Sequence, residues 1–135
     1  VIVASPAYLR HNPTPLTPDD LSQHSCINTR YSFKEGINAW ELRKNGINLT
    51  CRVEGPLIFN SVYAALNAAL AGYGLAYIPE MLATPWLESG RLQTVLDTWC
   101  PVQPGFHIFY SSERQLLPAL SLIIETLRYE PRESE

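Results

Sequence analysis

Apolar residues in this chain fall in short, dense runs separated by Pro, Gly and Asn, and their period changes from one run to the next. Residues 1–4 (Val-Ile-Val-Ala) read as a buried strand. Ser5-Pro6 then gives a helix start, because Ser caps well and Pro suits the first helical position. That helix should end near Asn12-Pro13. Thr17-Pro18-Asp19-Asp20-Leu21 repeats the signal and predicts a second short helix to about Gln23. Cys26-Ile27-Asn28 reads as a strand entering a polar stretch with Thr29, Arg30 and Tyr31. Residues 40–42 and 47–53 flank Lys44-Asn45-Gly46, and Asn-Gly supplies the positive backbone angles of a tight hairpin.

Residues 57–59 form a third short strand, after which the period lengthens. Val62, Ala65, Leu66, Ala69 and Leu70 recur at helical spacing behind Asn60-Ser61, and Gly72 closes that helix. Residues 75–78 predict a buried strand, and Pro79 starts a helix reaching about Thr84. Residues 91–96 and 106–110 predict two more strands. A last helix begins around Pro118, with Leu120, Ile123, Ile124 and Leu127 on one face, before a polar tail that frays. Strands alternating with helices make an α/β fold.

Composition narrows the class. A chain of 135 residues suits one domain, and 46% hydrophobic against 17% charged residues marks a core-forming sequence. The net charge is −3 and Lys and Arg do not cluster, which argues against direct binding of nucleic acid. Cys26, Cys51 and Cys100 are odd in number and lack C-x-x-C spacing, which predicts free thiols in a reducing, cytoplasmic setting. No charge occurs from Gly55 to Pro79, longer than the ~20 residues of a spanning helix. Pro56, Asn60, Asn67, Gly72 and Gly74 interrupt it, so strand–helix–strand is the better reading and no membrane partner is expected. A strand already in progress at Val1 reads as a piece of something longer.

Little catalytic chemistry is visible. His11, His24 and His107 have no metal-ligand spacing, and no G-x-S-x-G occurs. A cysteine–histidine pair assembled only in three dimensions stays open, with His24 and Cys26 the nearest in sequence. Asp19-Asp20 sits in a helix first turn, where acids favour the dipole, so a structural role outweighs acid/base chemistry. Gly72-Tyr73-Gly74 follows a helix and would meet a phosphate with carbonyl oxygens. No metal or cofactor is expected. Asn60-Ser61 differs: a strand-to-helix junction gathers free N–H groups that can bind an anion, although a plain N-cap explains it too.

Five runs in register carry a resemblance. They are Ser5-Pro6-Ala7-Tyr8-Leu9; Thr17-Pro18-Asp19-Asp20-Leu21 with His24 and Cys26-Ile27-Asn28; Gly55-Pro56-Leu57 with Asn60-Ser61; Ala69-Leu70-Ala71-Gly72-Tyr73-Gly74-Leu75-Ala76-Tyr77-Ile78-Pro79-Glu80; and Gly90-Arg91-Leu92 with Val95-Leu96 and Trp99. Together with the closing helix after Pro118 they resemble the effector-binding domain of LysR-type transcriptional regulators. The one departure is Asn12 after His11, where that family more often has Gly.

The resemblance implies a periplasmic-binding-protein-like (type 2) fold, with a mixed sheet flanked by helices and a small effector held between two lobes. It places residues 1–4 as a crossover strand, 5–110 as lobe two, and 111–135 as the return crossover and a lobe-one helix. It makes Asn28, Thr29, Arg30, Asn60 and Ser61 the effector contacts, the effector a small organic acid, and the chain a homo-oligomer. Ala64, Ala68 and Ala71 are expected on the outer face of their helix, near a subunit contact. DNA would be bound only through a helix-turn-helix domain that this chain lacks. The competing readings are a solute-binding lobe of a transport receptor and, with only unassembled His and Cys residues behind it, an enzyme.

Overall fold

A computed structural model describes residues 1–102, 105, 107–111 and 117–128. They fall into two compact units, Val1–Val102 and Gln103–Glu135.

The first unit is built on a five-stranded sheet. Its strands are β1 (Ile2–Ala4), β2 (Cys26–Thr29), β5 (Ile58–Phe59), β6 (Leu75–Tyr77) and β7 (Gln93–Val95), in the order β5-β2-β6-β1-β7. β2 is parallel to β5 and β6, while β1 is antiparallel to β6 and β7. Four strands therefore run one way and β1 the other, which is the mixed sheet expected. β3 (Trp40–Lys44) and β4 (Ile47–Cys51) form a separate antiparallel hairpin. Its turn residues Asn45 and Gly46 have φ of 51° and 77°, the positive pair an Asn-Gly turn provides.

Strand alternation sorts the core into two faces. Val3, Ile27 and Ala76 point to the side covered by α2 (Val62–Leu70) and α3 (Glu80–Glu88), where they meet Ala65, Leu66, Ala69 and Ala83. Ile2, Ala4, Cys26 and Leu75 point to the other side, among Tyr8 of α1 (Pro6–His11), Leu21, Trp40 and Leu42. Cover on both faces explains why these strands read as continuous apolar runs instead of alternating ones.

Several expectations need correction. Ala68 is 8% exposed and belongs to the core, because it lies only three residues from Ala65 and beside Ala69 on the helix wheel. It is not available at a subunit contact; Ala64 is half-buried and Ala71 exposed. α3 continues past Thr84 to Glu88 and takes Pro85 into its interior. β7 is shorter than predicted because Leu96 turns left-handed, at φ 54°, straight after it. Residues 107–110 form no strand and lie exposed, and Phe106 is outside the described residues. A strand needs a ladder partner, and among the described residues none pairs with this segment.

In the second unit the predicted C-terminal helix is present as α4 (Pro118–Leu127), with Leu122, Ile123 and Leu127 exposed. Residues 112–116 and the tail from Tyr129 onward are outside the described residues.

Candidate functional site

Strand direction fixes where a site can form. Because β2, β5, β6 and β7 run together, their carboxyl ends share one edge with the start of β1. In open α/β sheets ligands bind at that edge, where loops and helix N-termini gather. Here the order along it is Asn60-Ser61 after β5, Thr29-Arg30 after β2, Ile78 after β6, Val1, and Leu96 after β7. Two hydrogen bonds of 2.9 Å tie Val1 to Ile78, and the Arg30 N–H donates to the Phe59 carbonyl at 2.7 Å. The edge is thus joined by backbone from β5 to β1.

Ser61 is the N-cap of α2, in extended conformation, and its hydroxyl makes no capping bond. The first intrahelical bond runs from the Ala65 N–H to the Ser61 carbonyl at 3.2 Å. The N–H groups of Val62, Tyr63 and Ala64 therefore have no helical acceptor. No acidic residue stands in the first turn of α2, whereas α3 has Glu80 in its own. The positive end of α2 is left uncompensated. Asn60 is exposed and Ser61 half-buried beside it.

Three expected contacts lie one strand away, in different settings. Asn28 is 2% exposed; its N–H donates to the Leu57 carbonyl at 3.0 Å and its Nδ2 to the Val53 carbonyl at 3.0 Å. Its Oδ1 has no partner among the described residues. Alternation puts Asn28 on the face of Cys26, away from α2, so it braces β2 against the segment after β4. Thr29 accepts twice from Asn38: its carbonyl from the backbone N–H at 2.9 Å, its Oγ1 from Nδ2 at 3.1 Å. Arg30 places its guanidinium 4.5 Å from the centroid of the Phe33 ring and has no carboxylate partner among the described residues. Asn38 and Phe33 were missed from sequence, since the clasp closes only when the loop returns to β2.

The remaining chemistry is structural. Asp20 accepts at 2.9 and 2.8 Å from the Leu16 and Thr17 N–H groups, and these bonds hold its carboxyl below the usual range. Burial pushes the Cys26 thiol up to about 12, and its Sγ lies 3.8 Å from the Leu21 carbonyl, which favours the neutral thiol over the nucleophilic thiolate. All three cysteines are free, Cys26 buried and Cys51 and Cys100 half-buried. Among the described residues no group of three His, Cys, Asp or Glu could hold a metal ion, and no helix is long and apolar enough to cross a membrane.

His24 pairs with Tyr8 instead of Cys26. Tyr8 Oη accepts from the Ser25 N–H at 3.1 Å and lies 3.0 Å from His24 Nδ1. Because the Tyr8 hydroxyl already accepts from Ser25, its own proton is free to be donated to Nδ1 of a neutral His24 ring. Burial lowers the His24 pKa, with Asp20 pulling weakly the other way. The unfolded chain then binds the extra proton more readily. His24 should contribute its full stability above about pH 6.5, losing it as pH falls through the lower folded value. Denaturant midpoints should decline from pH 7.5 to 5, and His24→Gln should flatten that decline; an equal slope in both proteins would refute it.

A two-faced mixed sheet with helix N-termini gathered at one strand edge is an α/β architecture of the kind that binds ligands at that edge. A model of the LysR substrate binding domain matches residues 1–132. The chain is 44% identical over 128 residues to a putative transcriptional regulator of Pseudomonas aeruginosa, covering 95% of this chain and 42% of that one. It is 34% identical to the HTH-type transcriptional regulator PgrR of Escherichia coli K12, covering 95% and 43%. The regulatory domain of CrgA, a LysR-type regulator from Neisseria meningitidis, shares the fold at a TM-score of 0.71 and 20% identity, covering 93% and 61%. The chain belongs to the LysR substrate-binding domain family. It spans less than half the length of these two regulators. The relatives it matches are transcriptional regulators, which is kinship with regulators and not with the transport receptors also considered.

Proposed function

We propose that this chain senses a small organic anion for a transcription factor, with a carboxylate held at Asn60 and Ser61 and a second contact from Arg30. The observation that carries this reading is the unused Ser61 hydroxyl at an uncompensated helix N-terminus, on the same sheet edge as Arg30, which has no carboxylate partner among the described residues. The dipole gives an anion about 0.3–1 kcal/mol, up to ~2 where partly buried. Each charge-assisted hydrogen bond adds roughly 1.5–3 kcal/mol. Thr29 lines the same edge, and Asn28 serves from beneath as a brace.

In this reading residues 1–4 and those from 111 onward cross to a facing lobe, 5–110 form lobe two, and the last helix packs with lobe one. The complete protein is a cytoplasmic homo-oligomer without cofactor or catalytic activity. It contacts DNA through a helix-turn-helix domain outside this chain.

In the complete regulator, Asn60→Ala combined with Ser61→Ala should abolish the transcriptional response and leave operator binding intact. Because the Ser61 hydroxyl makes no cap bond, its loss should cost less than the ~1 kcal/mol of an ordinary cap. A normal response in a folded double variant would remove the site.

A further inference from the structure

The loop between Thr29 and Asn38 combines three features that the carboxylate site does not use. Its two ends are clasped by the Asn38 backbone and side-chain bonds to Thr29, so it leaves and re-enters the sheet at the same point. It exposes large apolar side chains: Phe33 is 89% exposed, Tyr31 58% and Ile37 43%. It also carries Arg30, whose guanidinium stacks on Phe33 at 4.5 Å. Exposed apolar side chains grouped on a tied loop are unusual for a surface that only meets water.

We propose that this loop sets the specificity of the effector site and selects a carboxylate with a planar aromatic body. The inference rests on the carboxylate reading above. Arg30 stacked on Phe33 is partly ordered before any ligand arrives, so its planar fork can take a carboxylate with less entropy lost per bond. The loop's positive charge suits an anion, and its apolar residues suit a body that aliphatic acids or inorganic anions do not have. An aromatic ring beside Phe33 and Tyr31 would cover surface now given to water, in the offset or edge-to-face contacts that rings favour. Asn38 acts as a positioning residue, holding the loop at the strand edge where Asn60 and Ser61 also lie.

The test uses the complete regulator and titrates benzoate, phenylacetate, acetate and propionate by calorimetry. The two aromatic acids should bind more tightly than the two aliphatic ones. Phe33→Ala should weaken the aromatic acids roughly tenfold, about the loss of one good ring contact, and the aliphatic acids by clearly less, since they lose only the ordering of Arg30. Arg30→Gln should weaken all four. Since Phe33 is almost fully exposed, its truncation leaves folding intact. Unchanged aromatic affinity in Phe33→Ala, or no preference for the aromatic acids, overturns the loop's role while the carboxylate site stands. Binding that survives Arg30→Gln and the Asn60/Ser61 double variant overturns the site itself. A changed oligomeric state of Phe33→Ala with unchanged affinity overturns the proposal in favour of a subunit contact.

Discussion

Gly74→Ala is expected to leave little folded protein at 25 °C. Gly74 lies between α2 and β6 with φ 152°, a conformation that side-chain-bearing residues rarely adopt. A Cβ there would collide with the Ser25 carbonyl oxygen and come within 2.9 Å of its carbonyl carbon. Ser25 cannot move aside cheaply, because its carbonyl accepts from the Leu75 N–H at 2.9 Å at the start of the parallel β2–β6 pairing. Overpacking and backbone strain together put the cost at about 4 kcal/mol or more, against a total stability of roughly 5–15 kcal/mol for a typical domain. Gly55→Ala should do comparable damage from the other side of β2, where the added carbon would meet the Cys26 backbone. Gly90→Ala is the control: it also has a positive φ, 71°, but open space around it, so only the left-handed penalty of about 1–2 kcal/mol applies. Circular dichroism melts of the three variants check the order. A Gly74→Ala protein melting as high as Gly90→Ala would show that β2 and β6 do not approach as described.

The same contacts explain how much of the fold the sequence made legible. Gly-Tyr-Gly after a helical stripe reads as a stop and a close approach, and the structure gives Gly74 that role. Elements whose pattern is local were readable: the strand at Ile2–Ala4, the Asn-Gly hairpin and α2 all occur where periodicity and turn chemistry put them. What depended on a distant partner was not. Nothing local distinguishes residues 107–110, which find no ladder among the described residues, from residues 75–77, which sit in the middle of one. The site divides in the same way. Asn60-Ser61 stood out because a strand-to-helix junction is a local event. Asn28 and Thr29 are neighbours in sequence, yet strand register turns one toward Val53 and the other toward Asn38. Only tertiary structure assigns those faces.

The hairpin carries the second large expected effect. Two strands alone are marginal in water, so β3 and β4 must draw their stability from docking against the sheet. The anchor is Trp40, 4% exposed, whose ring lies 5.6 Å from that of Tyr77 at an interplanar angle of 57°. Leu42 is buried on the same side of β3, and Tyr77 Oη donates to the Glu41 carbonyl at 2.9 Å between them. Trp40→Ala removes a large buried ring and leaves a cavity under the hairpin, costing about 3–5 kcal/mol. At roughly 3–4 °C per kcal/mol for a chain of this size, the melting temperature should fall by about 10–20 °C. Trp40→Phe should recover most of it, since ring packing rather than the indole N–H does the anchoring. A double-mutant cycle with Tyr77→Leu and Trp40→Leu should show coupling of about 0.5–1.5 kcal/mol for the ring pair. Hydrogen exchange gives the spatial signature: in Trp40→Ala, amides of Trp40–Lys44 and Ile47–Cys51 should lose protection first, while those of Leu75–Tyr77 keep theirs up to global unfolding. A loss of less than 1 kcal/mol, or uniform loss of protection, would mean that the hairpin is not held by this contact.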